Sequence, residues 1–280
     1  MAASLPVCVV VVGLAAAGPA HATVPGKNGR IAFMGLEQRG IHTADPDGKR
    51  IRRLTNGLDV SPAWSPDGDR IAYVDAVKGN IWKMHPNGEK RRKLTDDGKS
   101  YEPSWSPNGR RIVYMSTRGG DPEIFTMRAD GSDVRRLTDN DASDFDPRWS
   151  PNGRMIVFSR ERVETLPDVF KISSDGGFTK RLTDTEKRYE VAPTWSPGGG
   201  KIAFASGRRG DDEEIYKIKS NGARRKRLTH NDVIDSDPCW SPNGRKIALY
   251  HDGDVARIPA SGGRPHVTLR NAAWPDWKAR

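Results

Sequence analysis

Trp64-Ser65-Pro66-Asp67-Gly68 is the stretch that decides the architecture, because the chain repeats it. Copies begin at Trp105, Trp149 and Trp240 as Trp-Ser-Pro-Asn-Gly, and a divergent one reads Trp195-Ser196-Pro197-Gly198-Gly199. The spacings between successive tryptophans are 41, 44, 46 and 45 residues, a period that belongs to repeat architectures. Each phrase carries its own turn chemistry. Proline presets φ at the second position of a tight turn, Asp or Asn suits the third, and Gly takes a positive φ at the fourth. Every copy is therefore expected to end one strand and begin another.

Working outward from the phrase, three further segments recur in register. An apolar triplet follows each turn (Ile71-Ala72-Tyr73, Ile112-Val113-Tyr114, Ile156-Val157-Phe158, Ile202-Ala203-Phe204, Ile247-Ala248-Leu249), and a sixth copy, Ile31-Ala32-Phe33, lies near the start. Such runs do not alternate with polar residues, so they are expected to be covered on both faces. A half-apolar segment such as Ile81-Trp82-Lys83 comes next. An Asx-Gly turn follows in all copies but the last, which has Ser261-Gly262; Asx-Gly between two strands is a hairpin signal. The unit then closes with a basic segment ending in Leu-Thr, as at Arg53-Leu54-Thr55 and Arg136-Leu137-Thr138.

Four strands per unit and six units specify an all-β chain, a six-bladed β-propeller of four-stranded antiparallel blades. The first unit lacks its leading strand, and Pro275-Asp276-Trp277 repeats the Pro-x-Trp pattern at the other end of the chain. The C-terminal strand around Trp277 is thus expected to join the N-terminal blade and close the ring. The repeated tryptophans are expected between blades, where each buries roughly 150–250 Å². Trp82 and Trp274, outside the phrase, remain open as stacking platforms.

The formal net charge of +10 suits anionic partners but also solubility alone, so it selects no function. Residues 1–22 are uncharged and apolar from Leu5 to Ala17, with Ala20-His21-Ala22 as a small-residue cleavage site. They are expected to be a signal peptide, too short to span a bilayer, followed by a single propeller domain over 23–280. Cys8 falls in that segment, which leaves Cys239 without a partner for a disulfide.

The unit x-Pro-x-Trp-Ser-Pro-Asp/Asn-Gly-x-x-Ile-Ala-Phe, followed by Ile-Tyr and Leu-Thr, resembles the WD-related repeat of TolB-type propellers over roughly residues 26–278. The resemblance implies six blades, export to the periplasm and binding of other envelope proteins through the propeller. The repeat is also similar to that of propellers attached to prolyl-oligopeptidase-like hydrolases, but no Gly-x-Ser-x-Gly elbow occurs here.

In a propeller, the loops from outermost to next innermost strand share one face with the second-to-third strand loops. The first set is acidic (Asp59, Glu102, Asp144, Asp146, Glu190, Asp235, Asp237) and the second basic (Lys78, Arg118, Arg160, Arg162, Arg208, Arg209). Glu102, Asp146 and Asp237 each precede a repeat proline, so symmetry places them at one depth near the axis. The expectation is a funnel with an acidic throat and a basic collar, its ligand-binding candidates being Glu102, Asp144, Asp146, Asp235, Asp237, Arg118, Arg208 and Arg209. No cofactor and no dedicated metal site are expected; the one cation such carboxylates suit is Ca²⁺. The alternative is that these carboxylates cap loop amides and pair with neighbouring arginines.

The sequence contains no His-Glu-x-x-His, Walker loop or Cys-x-x-Cys. The reading is therefore a non-catalytic, exported, monomeric scaffold, periplasmic or secreted. It binds a protein or peptide segment in its funnel, with no nucleic acid partner and no stable membrane insertion. The basic outer runs, Lys90 to Lys93 and Arg224 to Arg227, are expected to be solvated edges that resist aggregation. The competing reading is a carbohydrate-active enzyme, a glycosidase or lyase, using two channel carboxylates.

Overall fold

A computed structural model describes residues 25–208 and 212–279. Its described residues form six four-stranded antiparallel sheets and no helix. Blades 2 to 6 occupy 59–93, 100–136, 143–181, 189–227 and 235–269, each with its strands ordered from the axis outward as they occur in the chain. Blade 1 is composite. The strand Ala272–Ala279 lies innermost, against Asn28–Gly35, followed by Gly40–Ala44 and Arg52–Arg53. Ile31 faces Trp277 and Ala32 faces Asp276 across this join, and the Trp277 indole donates to the Gly29 carbonyl at 3.1 Å. The ring closes as the repeat count required. The segment expected to be a signal peptide lies outside the described residues.

The turn phrase explains itself at atomic level. The Ser65 hydroxyl accepts the Arg70 amide at 2.9 Å and donates to the Asp67 carboxylate, which also accepts the Asp69 amide. Ser106 and Asn108, Ser150 and Asn152, and Ser241 and Asn243 repeat the arrangement. The glycine fits tightly: at Gly153, φ is +70° and a methyl would lie 3.2 Å from Pro107 of the preceding blade's turn.

The Leu-Thr ending has an equally local cause. Thr55, Thr95, Thr138, Thr183 and Thr229 each accept, through the hydroxyl, the amide of the second residue of the blade's third strand, at 2.8–2.9 Å. The outermost strand is thereby pinned after only two or three paired residues.

The core is six wedges between blades, and each contains one phrase tryptophan, 1–4% exposed. Trp105 of blade 3, for example, packs on Ala63, Ala72, Val74 and Ile81 of blade 2, and its indole donates to the Ala63 carbonyl at 3.1 Å. The triplet residues beside them are buried on both faces.

The basic outer runs are largely exposed, and several of their side chains also cross to a neighbouring blade. Arg91 donates to Leu54 O, Arg92 to Asp130 O and Lys226 to Ser261 O. Lysines of the third strands do likewise, Lys83 to Ala129 O, Lys171 to Ser220 O and Lys217 to Ala260 O. Their cations cap carbonyls at the turns and strand ends of an adjoining blade.

Candidate functional site

The channel is built at a bulge in each innermost strand. The six residues preceding the repeat prolines, Ser61, Glu102, Asp146, Ala192, Asp237 and Trp274, all have φ between +50° and +58°. The pairing register slips at each of these points. A bulge takes its amide out of the ladder, and at Asp146 and Ala192 a carboxylate from the preceding blade receives it. Glu102 Oε2 accepts the Asp146 amide at 2.7 Å, and Asp146 Oδ2 accepts the Ala192 amide at 3.0 Å and the Ser159 hydroxyl at 3.1 Å. Asp276, two positions further along its strand, accepts the Trp64 amide at 2.6 Å. These acids clamp one blade to the next.

Among them sits a guanidinium that sequence reasoning missed. Arg148 is 1% exposed and donates to the Pro147 carbonyl at 2.8 Å. Burial pulls its pKa down, and the negative field of Asp146, Glu102, Asp276 and Asp237 opposes that. Burial, then repulsion from Asp146, pushes the Glu102 carboxyl up to about 8. Asp146 is also raised by burial, with Arg148 the largest opposing influence. The signal for this cluster was the variable residue of Pro-x-Trp, which runs Ala63, Ser104, Arg148, Thr194, Cys239, Asp276. Only a ring brings the Arg and the Asp of that series to one place.

The second tier of expected site residues is also paired. Aromatic side chains of the second and third strands pair, stacked in Tyr114 with Phe125 and tilted in Phe158 with Phe170. An arginine covers each pair: Arg118 lies 4.8 Å from the Phe125 centroid, and Arg160 lies 5.1 Å from that of Phe170. Loop acids hold these cations in place. Arg118 meets Asp97 at 2.7 Å, Arg160 grips Asp144 through two bonds of 2.6 and 2.7 Å, and Arg225, over Tyr216, pairs with Glu190. Asp235 bonds the His251 ring at 2.6 Å. Asp144, Glu190 and Asp235 are fully buried.

The expected throat and collar are thus not two separate rings. Of the collar, Arg160 is half-buried over its own blade's aromatic pair, Arg118 lies over its pair but stays exposed, Lys78, Arg162 and Arg208 are exposed, and Arg209 lies outside the described residues. Among the described residues, no three His, Cys, Asp or Glu side chains are grouped to hold a metal. A Ca²⁺ in the channel would have to take Glu102 and Asp146 from the amides they bind. Trp82 and Trp274 are half-buried, and Trp274 is itself one of the six bulge residues.

The face that carries these loops also exposes apolar side chains. Eight large apolar side chains are exposed among the described residues, and five of them stand on the loops of this face: Leu36, Leu58, Val77, Val163 and Ile234. Val77 and Val163 are 72% and 81% exposed.

A family model described as PD40, TolB beta propeller domain, matches residues 28–191. The chain is 44% identical over 98 residues to a TolB homolog of Chlorobium luteolum, covering 33% of this chain and 22% of that protein. It is 30% identical over 114 residues to the Tol-Pal system protein TolB of Desulfosudis oleivorans, covering 39% and 26%. These matches span about a quarter of the length of the relatives. The crystal structure of TolB from Acinetobacter baumannii superposes with a TM-score of 0.75 at 25% identity, over 90% of this chain and 67% of that one. With a family match over more than half its residues and the same fold around a closed channel, this chain belongs to the TolB beta propeller domain family.

Proposed function

We propose that the chain is a non-catalytic, exported, monomeric scaffold of the cell envelope or the exterior that captures a protein or peptide segment at the mouth of its channel. The observation that carries this reading is the apolar rim formed by Leu36, Leu58, Val77, Val163 and Ile234. Exposed aliphatic side chains gathered on one face mark protein-binding surfaces, whereas sugar sites rely on aromatic platforms and free polar groups. The channel acids fit a supporting part. Glu102 and Asp146 spend their carboxylates on neighbouring amides, which holds the rim loops in fixed positions for a ligand.

The test is capture from envelope and secreted fractions. Wild type is compared with Val77→Asp/Val163→Asp, which alters exposed positions alone, and with Glu102→Gln. The rim variant is expected to lose the partner while keeping its melting temperature, and Glu102→Gln to retain it. Equal capture by the rim variant would refute the proposal, as would turnover of a polysaccharide by the wild type.

A further inference from the structure

On the opposite face, where the Trp-Ser-Pro-Asx-Gly turns and the third-to-fourth strand turns emerge, charge is distributed unevenly among blades. Residues 196–203, 215–227, 241–250 and 255–269 supply this face in blades 5 and 6 and contain no Asp or Glu. They carry Lys201, Lys219, Arg224, Arg245, Lys246 and Arg264, all exposed, and none pairs with a carboxylate among the described residues. Blade 3 shows the contrary arrangement on the same face. There Asp133 binds Arg111 at 2.6 Å and Arg135 at 3.0 Å, with Arg128 at 3.7 Å, so three cations share a carboxylate that blades 5 and 6 lack on this face.

Lys217 registers the imbalance. Its pKa is lowered first by burial and then by Lys201 and Lys226, two cations with no intervening acid. A cleft of about 310 Å³ opens in blade 6 between Lys246, Arg257, Ile258, Pro259, Arg264 and His266. Arg257 lines it, held by the Thr268 hydroxyl and the Pro46 carbonyl, and the one acid acting on it is the exposed Asp47 at the blade 1 border.

The shape of the charged area selects the kind of anion. The inner turns touch around the ring; a methyl at Gly244 would lie 3.7 Å from Pro197 of blade 5. Lys201, Arg245 and Lys246 follow inner turns while Lys219, Arg224 and Arg264 belong to outer ones, so the cations cover an area and do not line a single groove. Phe178, 54% exposed, stands at the blade 4 border and Ile51, 58% exposed, at the blade 1 border. A one-signed area flanked by exposed apolar side chains matches a lipid surface, where charge attracts and apolar tips enter the interface. We propose that the turn face of blades 5 and 6 docks on an anionic phospholipid bilayer, seating headgroup phosphates at the blade 6 cleft and leaving the rim face free for its partner.

Vesicle co-sedimentation at low salt tests this, with vesicles of phosphatidylcholine alone or with about one-third phosphatidylglycerol. The wild type is expected to sediment only with the anionic vesicles and to be released by salt. Each cation near such a surface contributes about fivefold in partitioning. The variant Lys201→Gln/Lys219→Gln/Arg245→Gln/Lys246→Gln should therefore lose roughly 600-fold. A second variant, Lys78→Gln/Lys99→Gln/Arg162→Gln/Lys187→Gln, removes the same charge from the opposite face and should stay within about threefold of wild type. Equal losses in the two variants would overturn the proposal, as would binding to neutral vesicles. So would displacement by millimolar inorganic phosphate, or tighter retention of duplex DNA than of anionic vesicles. Thermal melts of both variants confirm that they are folded.

Discussion

Replacing Trp277 by alanine tests the closure of the ring. The side chain is 1% exposed and packs on Ile31, Phe33, Cys239 and Ala248, which brings blades 6 and 1 together. Truncating a buried Trp costs about 3–5 kcal/mol, and losing the indole bond to Gly29 adds about 1 kcal/mol. A total of about 4–6 kcal/mol lowers the melting temperature of a domain this size by roughly 10–20 °C, at about 2–4 °C per kcal/mol. Differential scanning calorimetry measures the shift. Hydrogen exchange locates it, because opening the join frees the amides of Asn28–Gly35 before those of blades 3 and 4. A fall of under about 3 °C, or acceleration spread evenly over all blades, would show that the tail does not hold the ring shut.

Three other expectations follow from the channel and the blade interfaces. Glu102 titrates near 8 when folded against an ordinary 4.5, so its contribution is complete below pH 4.5 and is lost as pH rises through 8. Glu102→Gln keeps the acceptor for the Asp146 amide without the charge. It should match wild type at pH 4.5 and exceed it by on the order of 4 kcal/mol at pH 8, read from urea melts at the two pH values; wild type and variant running parallel would contradict the shift. Asp144→Ala leaves Arg160, whose side chain is 12% exposed, without its carboxylate and should cost about 3–5 kcal/mol, much of it regained in Asp144→Ala/Arg160→Met. Additive losses in that cycle would deny the coupling. Gly29→Ala places a methyl 2.8 Å from the Lys278 carbonyl and should lower stability by about 1–3 kcal/mol through overpacking at the join; an unchanged melt would mean that the close approach is not maintained.

The sequence by itself determined the unit, the count and the join. Each rests on chemistry within a few residues: serine and Asx hydroxyl and carboxamide bonds around Pro-x-Gly, threonine accepting one amide of the adjacent strand, and apolar triplets covered on both sides. Trp277 was readable as the last inner strand because Pro-x-Trp survives there without its serine. The site was legible only as an inventory. Glu102, Asp144, Asp146 and Asp235 could be placed on one face, but whether a carboxylate is free depends on what approaches it through space.

The tertiary structure alone decided that Glu102 and Asp146 are taken by amides of the next blade, and that Asp144 is taken by Arg160. It also brought Arg148 into the field of Asp276, 128 positions away along the chain. Local order follows from hydrogen bonds a few residues apart. The state of a buried charge follows from the sum of desolvation and neighbours that the ring assembles from different repeats, and no single repeat contains that sum.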